Sequence, residues 1–138
     1  MGPTLRMQVA PDRREMRRLN DTAARFLRDC RASSESIHDV QLVLEEVVSN
    51  VLRHAPRTGD GLSLAVEVEI AGDEVRVRVE DDAAPFDPTL APDPPPAPRL
   101  EDRRPGGLGL RIVRRTTRRM RYERRGNLNV LEMILPLS

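Results

Sequence analysis

Residues 44–50 read Leu44-Glu45-Glu46-Val47-Val48-Ser49-Asn50, and the fold turns on how this stretch is placed. Around it Ile37, Val40, Leu44, Val47, Val48 and Val51 recur at spacings of three and four, the period of an amphipathic helix. Ser33, Ser34 and Glu35 supply a break and a cap before it, and Pro56 stops it, so the helix runs to about Ala55. On this helix Glu46 and Asn50 stand one turn apart on one face, with His54 a turn further on. The apolar residues hold the neighbouring face, which puts the polar stripe at the edge of the buried surface, where a cleft can open. Taken by itself, the spacing fits solvated residues of an ordinary helix better.

Upstream, Thr4 to Val9 alternates Leu5, Met7 and Val9 with polar neighbours, as a half-buried strand does. From Arg13 to Arg31 the residues Met16, Leu19, Ala23, Phe26, Leu27 and Cys30 mark a first amphipathic helix with arginines on its other face. Downstream, Leu62 to Ile70 and Val75 to Val79 read as strands joined by the tight turn Ala71-Gly72-Asp73. Pro85 to Pro105 holds most of the prolines and lacks an apolar period, so it reads as a long loop within one domain. Gly106 and Gly107 lead into Leu108, Leu110, Ile112 and Val113, a third helix that ends near Met120, then two strands, about Met120 to Arg124 and Leu128 to Leu135, paired across Gly126-Asn127. This order predicts a two-layer α+β sandwich with helices on one face of a mixed, mostly antiparallel sheet.

At 138 residues the chain suits one domain, 1–138. Its 23 basic residues are all arginine and are nearly matched by 22 acidic ones, leaving a formal charge of +1. A global field that would draw nucleic acid or a membrane surface is therefore excluded, and any charged partner must meet a local patch. A single cysteine, Cys30, forms no internal disulfide, and no leader or long apolar run is visible, which makes a reducing cytoplasm the expected location.

Two further segments carry chemistry. Val79-Glu80-Asp81-Asp82 ends a strand in carboxylates, and a carboxylate there can accept a ligand's amino group; it can equally solubilise the strand end. Arg104-Pro105-Gly106-Gly107-Leu108-Gly109-Leu110 is a glycine-rich entry into a helix, where unpaired N–H groups and the helix dipole favour phosphate, or else it is a flexible turn.

In this order and at these intervals, Leu44 to Asn50, Asp81 with Phe86-Asp87-Pro88, and Gly107-Leu108-Gly109-Leu110-Arg111-Ile112-Val113 resemble the N, G1 and G2 boxes of GHKL ATPases. The resemblance spans about Leu5 to Leu137 and is closest to the anti-sigma-factor serine kinases. It implies the Bergerat ATP-binding fold and ATP or ADP with Mg²⁺ as ligands. It also implies phosphorylation of a STAS-domain anti-anti-sigma protein on serine, alternating with sequestration of a sigma factor or similar regulator, and a homodimer. Carried over by position, Glu46 matches the general base, Asn50 the Mg²⁺ ligand and Asp81 the acceptor of the adenine amine. His54 and Arg104 match nucleotide contacts, and Gly106, Gly107, Leu108, Gly109 and Leu110 match the phosphate loop. The segment at about 85–106 takes the place of the ATP lid.

The chain departs from that pattern in three places. Ala83 and Pro85 stand where glycines are usual after the aspartate, Glu132 aligns with a threonine of the last strand, and residues 92–98 are proline-rich. These departures keep a second reading open, a regulatory binding module of the same fold that acts through protein contacts. A sensor histidine kinase is a poorer match, since His38 lies about two turns from Glu46 on the same helix. The arginines from Arg111 to Arg125 suggest a nucleic-acid surface, but one tyrosine, two phenylalanines and no tryptophan leave little for base stacking.

Overall fold

The computed structural model describes residues 2–54, 62–90 and 107–138, except the side chains of 54 and 107–109. Its elements are β1 (Thr4–Gln8), α1 (Arg13–Asp29), α2 (Ser34–His54), β2 (Leu64–Ala71), β3 (Glu74–Asp81), α3 (Gly107–Thr116), β4 (Arg119–Arg125) and β5 (Leu128–Pro136). A short 3₁₀ turn at Pro88–Leu90 precedes α3. Most of the segment expected as a lid, 91–106, including Arg104 and Gly106, lies outside the described residues.

The strands form one sheet in the order β1-β2-β3-β5-β4. All four pairings are antiparallel, so no parallel pair is present among the described strands, where the sequence suggested a mixed sheet. Both tight hairpins depend on glycine: Gly72 (φ 62°) and Gly126 (φ 58°) occupy the first position of two-residue turns, the pattern of type II′. The third helix is shorter than the sequence suggested. It stops at Thr116, and Arg118 N–H already donates to Ile134 O at 2.7 Å, which carries the chain into β4 and places Met120 in a strand.

α2 lies between α1 and α3 and covers β3 and β5. Leu44, Val47 and Val48 are at most 3% exposed, against Val75, Val77, Val79, Met133 and Leu135 from the sheet. Burying one such side chain contributes roughly 1.5–3 kcal/mol. The opposite sheet face carries ion pairs such as Arg6–Glu67 (3.1 Å), Arg76–Glu69 (3.3 Å) and Arg78–Glu80 (3.1 Å). Surface pairs of this kind contribute about 0–1 kcal/mol each, so the helix-covered face holds the fold and the charged face keeps it in water. Ser33 caps α2 by accepting from Ser36 N–H at 3.1 Å, and its own N–H donates to Ser138 O at 2.8 Å. The start of α2 is thereby tied to the end of the chain beyond β5, and the helix is fixed in position over the sheet.

Candidate functional site

A mostly apolar cleft opens where α2, the C-terminal end of β3 and the start of β5 meet. α2 contributes Val47, Asn50 and Val51, and the sheet contributes Val79, Asp81, Leu131 and Asn129. The loop after β3 adds Ala83, Ala84, Phe86 and Pro88, while Leu110 of α3 and Tyr122 of β4 close the sides.

Strand and helix periods explain why polar groups reach this mostly apolar space. In β3, Val75, Val77 and Val79 face the helices, and the period of two carries Asp81 onto the same face, 5% exposed. In α2, Asn50 continues the row of Val43 and Val47 and is 7% exposed. Its side-chain amide has no hydrogen-bond partner among the described residues. Asn50 lines the cleft, where water or a ligand can reach its amide.

Asp81 is held from two sides. Asn129 Nδ2 donates to its Oδ1 at 2.9 Å and Ala83 N–H donates to the same oxygen at 3.0 Å. Oδ2 is then the oxygen offered to the cleft. Burial pushes this carboxyl above the ordinary carboxylate range. The bonds from Asn129 and then Ala83 pull it down, Asp82 pushes it up and Arg124 pulls it down, with burial dominating. Asp82 itself turns away: its Oδ1 accepts from Ser63 N–H at 2.8 Å, so of the two adjacent carboxylates one serves the cleft and the other ties β3 to the start of β2.

The structure thus brings Asn50, Asp81 and Leu110 together at the cleft. Glu46 is half-buried one turn before Asn50 on α2 and is not part of the lining. His54 is the last residue of α2, but its side chain lies outside the described residues. Gly107, Leu108 and Gly109 form the first turn of α3, with their side chains also outside the description, and Arg104 and Gly106 lie wholly outside it.

Glu132 is a correction. It pairs with Arg78 and Arg121 in the register of β5, on the charged face away from the cleft. The residue opposite Asp81 is Asn129. Asn129, Tyr122 and Arg124 are the site residues that motif reading passes over. A signal for Asn129 was present: Leu131, Met133 and Leu135 define the buried face of β5, and Asn129 is the polar residue in that same alternation. The arginines around β4 are largely engaged in the fold. Arg118 contacts Asp73 and Glu74, Arg119 contacts Glu74, Arg125 contacts Glu123, and Arg124 Nη1 donates to Ala83 O at 2.9 Å.

An antiparallel sheet with helices on one face, and a cleft between one helix and the sheet lined by a buried carboxylate and an asparagine amide, defines a GHKL-type ATP-binding fold. Residues 9–135 match the histidine kinase-like ATPase domain family, and the chain belongs to that family. It is similar to the serine/threonine-protein kinase BtrW of Bordetella bronchiseptica, 34% identical over 107 residues that cover 78% of this chain and 75% of the relative. Among solved structures it resembles the RsbU and RsbW domains of Rv1364c from Mycobacterium tuberculosis, with TM-score 0.70 and 19% identity over 99% of this chain. It also resembles the histidine kinase domain of a blue-light activated histidine kinase from Erythrobacter litoralis, with TM-score 0.52 and 22% identity over 75% of this chain. The match covers 33% of the mycobacterial chain and 46% of the Erythrobacter chain.

No helix among the described residues is long and apolar enough to cross a membrane.

Proposed function

We propose that this chain is a protein serine kinase of the anti-sigma-factor type. It binds Mg-ATP in the cleft, phosphorylates a STAS-domain anti-anti-sigma partner on serine, and alternately sequesters a sigma factor or similar regulator. The observation that carries this reading is the cleft wall on which Asp81 and Asn50, the two residues matched to adenine and to metal, are both buried and both open to the same space. Similarity to a named serine/threonine kinase over 78% of the chain supports it.

In this reading Asp81 Oδ2 accepts the exocyclic amine of adenine, and the apolar walls from Val47, Val51, Val79 and Leu131 cover the faces of the base. Asn50 offers its amide oxygen to the cation. Asn50 would be the residue of this chain that holds Mg²⁺, a hard cation that takes oxygen ligands. When bound, Mg²⁺ offsets phosphate charge during transfer. Phosphate lies toward Gly107–Leu110, where the free N–H groups of the first turn of α3 favour anions; Gly106, Arg104 and His54 join that end by the resemblance. Glu46 takes the proton of the partner's serine hydroxyl as its oxygen attacks the γ-phosphorus in line; the bond from that phosphorus to the β,γ-bridging oxygen breaks and ADP leaves. The protein acts in the cytoplasm as a homodimer.

A regulatory binding module is the second reading, favoured by Pro85, which removes a backbone N–H from the loop beside Asp81. The two readings separate on one experiment. The protein is incubated with Mg-ATP and a STAS-domain protein, and the partner is mapped for phosphoserine by mass spectrometry. A single modified serine is expected; ATP binding without modification of any partner tried favours the binding module.

A further inference from the structure

Asn129 is hydrogen-bonded at both ends of its side-chain amide, to Asp81 and to the loop after β3 among others. Its Nδ2 donates to Asp81 Oδ1 at 2.9 Å, to Ala84 O at 3.0 Å and to Ala83 O at 3.3 Å. Its Oδ1 accepts from Tyr122 OH at 2.5 Å, Arg124 Nη1 at 3.2 Å and Phe86 N–H at 3.4 Å. Three acceptors face the nitrogen, and three donors face the oxygen. Turning the amide over would set N–H against N–H and carbonyl against carbonyl, so the network fixes its orientation. The side chain is 6% exposed and sits opposite Asp81 in the β3–β5 register.

Two consequences follow from that geometry. Asn129 is a donor to Asp81, so Asp81 must meet it as an acceptor, and Oδ2 remains to accept from a ligand's N–H group. The loop at 83–86 contains Ala83 and Pro85, yet its backbone groups at 83, 84 and 86 are all met by Asn129, with Arg124 as a second donor to Ala83 O. The backbone path beside the base is thus held by side chains of β4 and β5.

We propose that Asn129, itself oriented by Tyr122 and Arg124, is the positioning residue for the base end of the cleft, holding Asp81 as an acceptor and pinning the loop at 83–86. It acts through Asp81 and the loop, and this rests on the nucleotide reading above. Its mark is discrimination between a purine that carries an amine at the six position and one that carries a carbonyl there, because an acceptor favours the first and repels the second.

The test compares ATP with inosine triphosphate, in which the six-position amine is replaced by a carbonyl and N1 carries a proton, using calorimetric titration of the purified full chain and thermal melts of every variant. Asn129→Leu keeps the branching and heavy-atom count of the side chain on a buried strand face and removes all six bonds. It is expected to lower the ATP-to-inosine-triphosphate affinity ratio by roughly tenfold to a hundredfold. Asn129→Thr restores a hydroxyl donor toward Asp81 and is expected to recover part of the ratio, which a purely structural role for residue 129 would not produce. Tyr122→Phe removes a single donor to Asn129 and carries the test if the leucine variant does not fold, with a smaller fall in the same direction. A cooperatively melting Asn129→Leu, or Tyr122→Phe in its place, that keeps the wild-type ratio overturns the proposal while leaving ATP binding intact. Failure of the folded wild type to bind ATP removes the nucleotide reading itself, and this inference with it.

Discussion

Glu46→Ala is expected to bind Mg-ATP within about threefold of the wild type and to lose phosphotransfer by about 10²–10⁴-fold, the contribution of a positioned general base. The geometry separates the two effects. Glu46 is half-buried and outside the cleft lining, whereas Asn50, four residues on, is inside it. Four residues advance a helix by a little more than one turn, and that excess rotates Asn50 into the row of Val43 and Val47 while leaving Glu46 outside the lining. A group outside the lining does not contribute to the base pocket. Alanine has the highest helix propensity, so α2 is not weakened by the change. Single-turnover transfer to the partner, measured beside nucleotide affinity, checks both halves; transfer at the wild-type rate removes Glu46 from the role of base.

The second large effect is expected at Asp81, and there stability and binding move in opposite directions. Asp81→Asn is expected to weaken ATP binding by roughly tenfold to a hundredfold, because a hydrogen bond to a charged acceptor is lost. The same change is expected to raise the melting temperature at neutral pH. Burial holds the Asp81 carboxyl above its ordinary range, so the folded chain binds this proton more tightly than the unfolded chain does. The stability linked to that proton is present below the ordinary carboxylate range and is lost as pH rises through the higher folded value. Asparagine removes this loss, and its oxygen can still accept from Asn129 Nδ2 and Ala83 N–H, as Asp81 Oδ1 does. Melts of both proteins at neutral and strongly acidic pH should differ at the first and converge at the second. A variant less stable at neutral pH, or one that binds ATP as well as the wild type, contradicts this account of Asp81.

Much of this was legible in residue periods. The helical spacing from Ile37 to Val51 placed α2, Gly72 and Gly126 placed two hairpin turns, and alternation in β3 carries Asp81 from the valine row into the cleft. The last strand shows where motif matching is weaker than parity. Glu132 aligns with a family threonine of the last strand, yet the strand period sets it on the charged face and sets Asn129 on the buried one. Tyr122 and Arg124 were less accessible still, because their contacts with Asn129 depend on the β4–β5 register rather than on local spacing. The end of α3 was overrun for a related reason: Arg114 to Arg119 continues a solvated helical pattern, and what stops it is the pairing of Arg119 with Ile134 across the sheet.

The central claim is that this cleft binds nucleotide through Asp81 and a cation through Asn50. Calorimetric titration of the wild type and of Asn50→Ala with ATP, each with and without Mg²⁺, tests it most directly. The account predicts that Mg²⁺ strengthens ATP binding to the wild type and that Asn50→Ala, still folded by its melt, loses that magnesium dependence. A folded wild type that binds neither ATP nor ADP, or an Asn50→Ala protein with the full magnesium response, would contradict it.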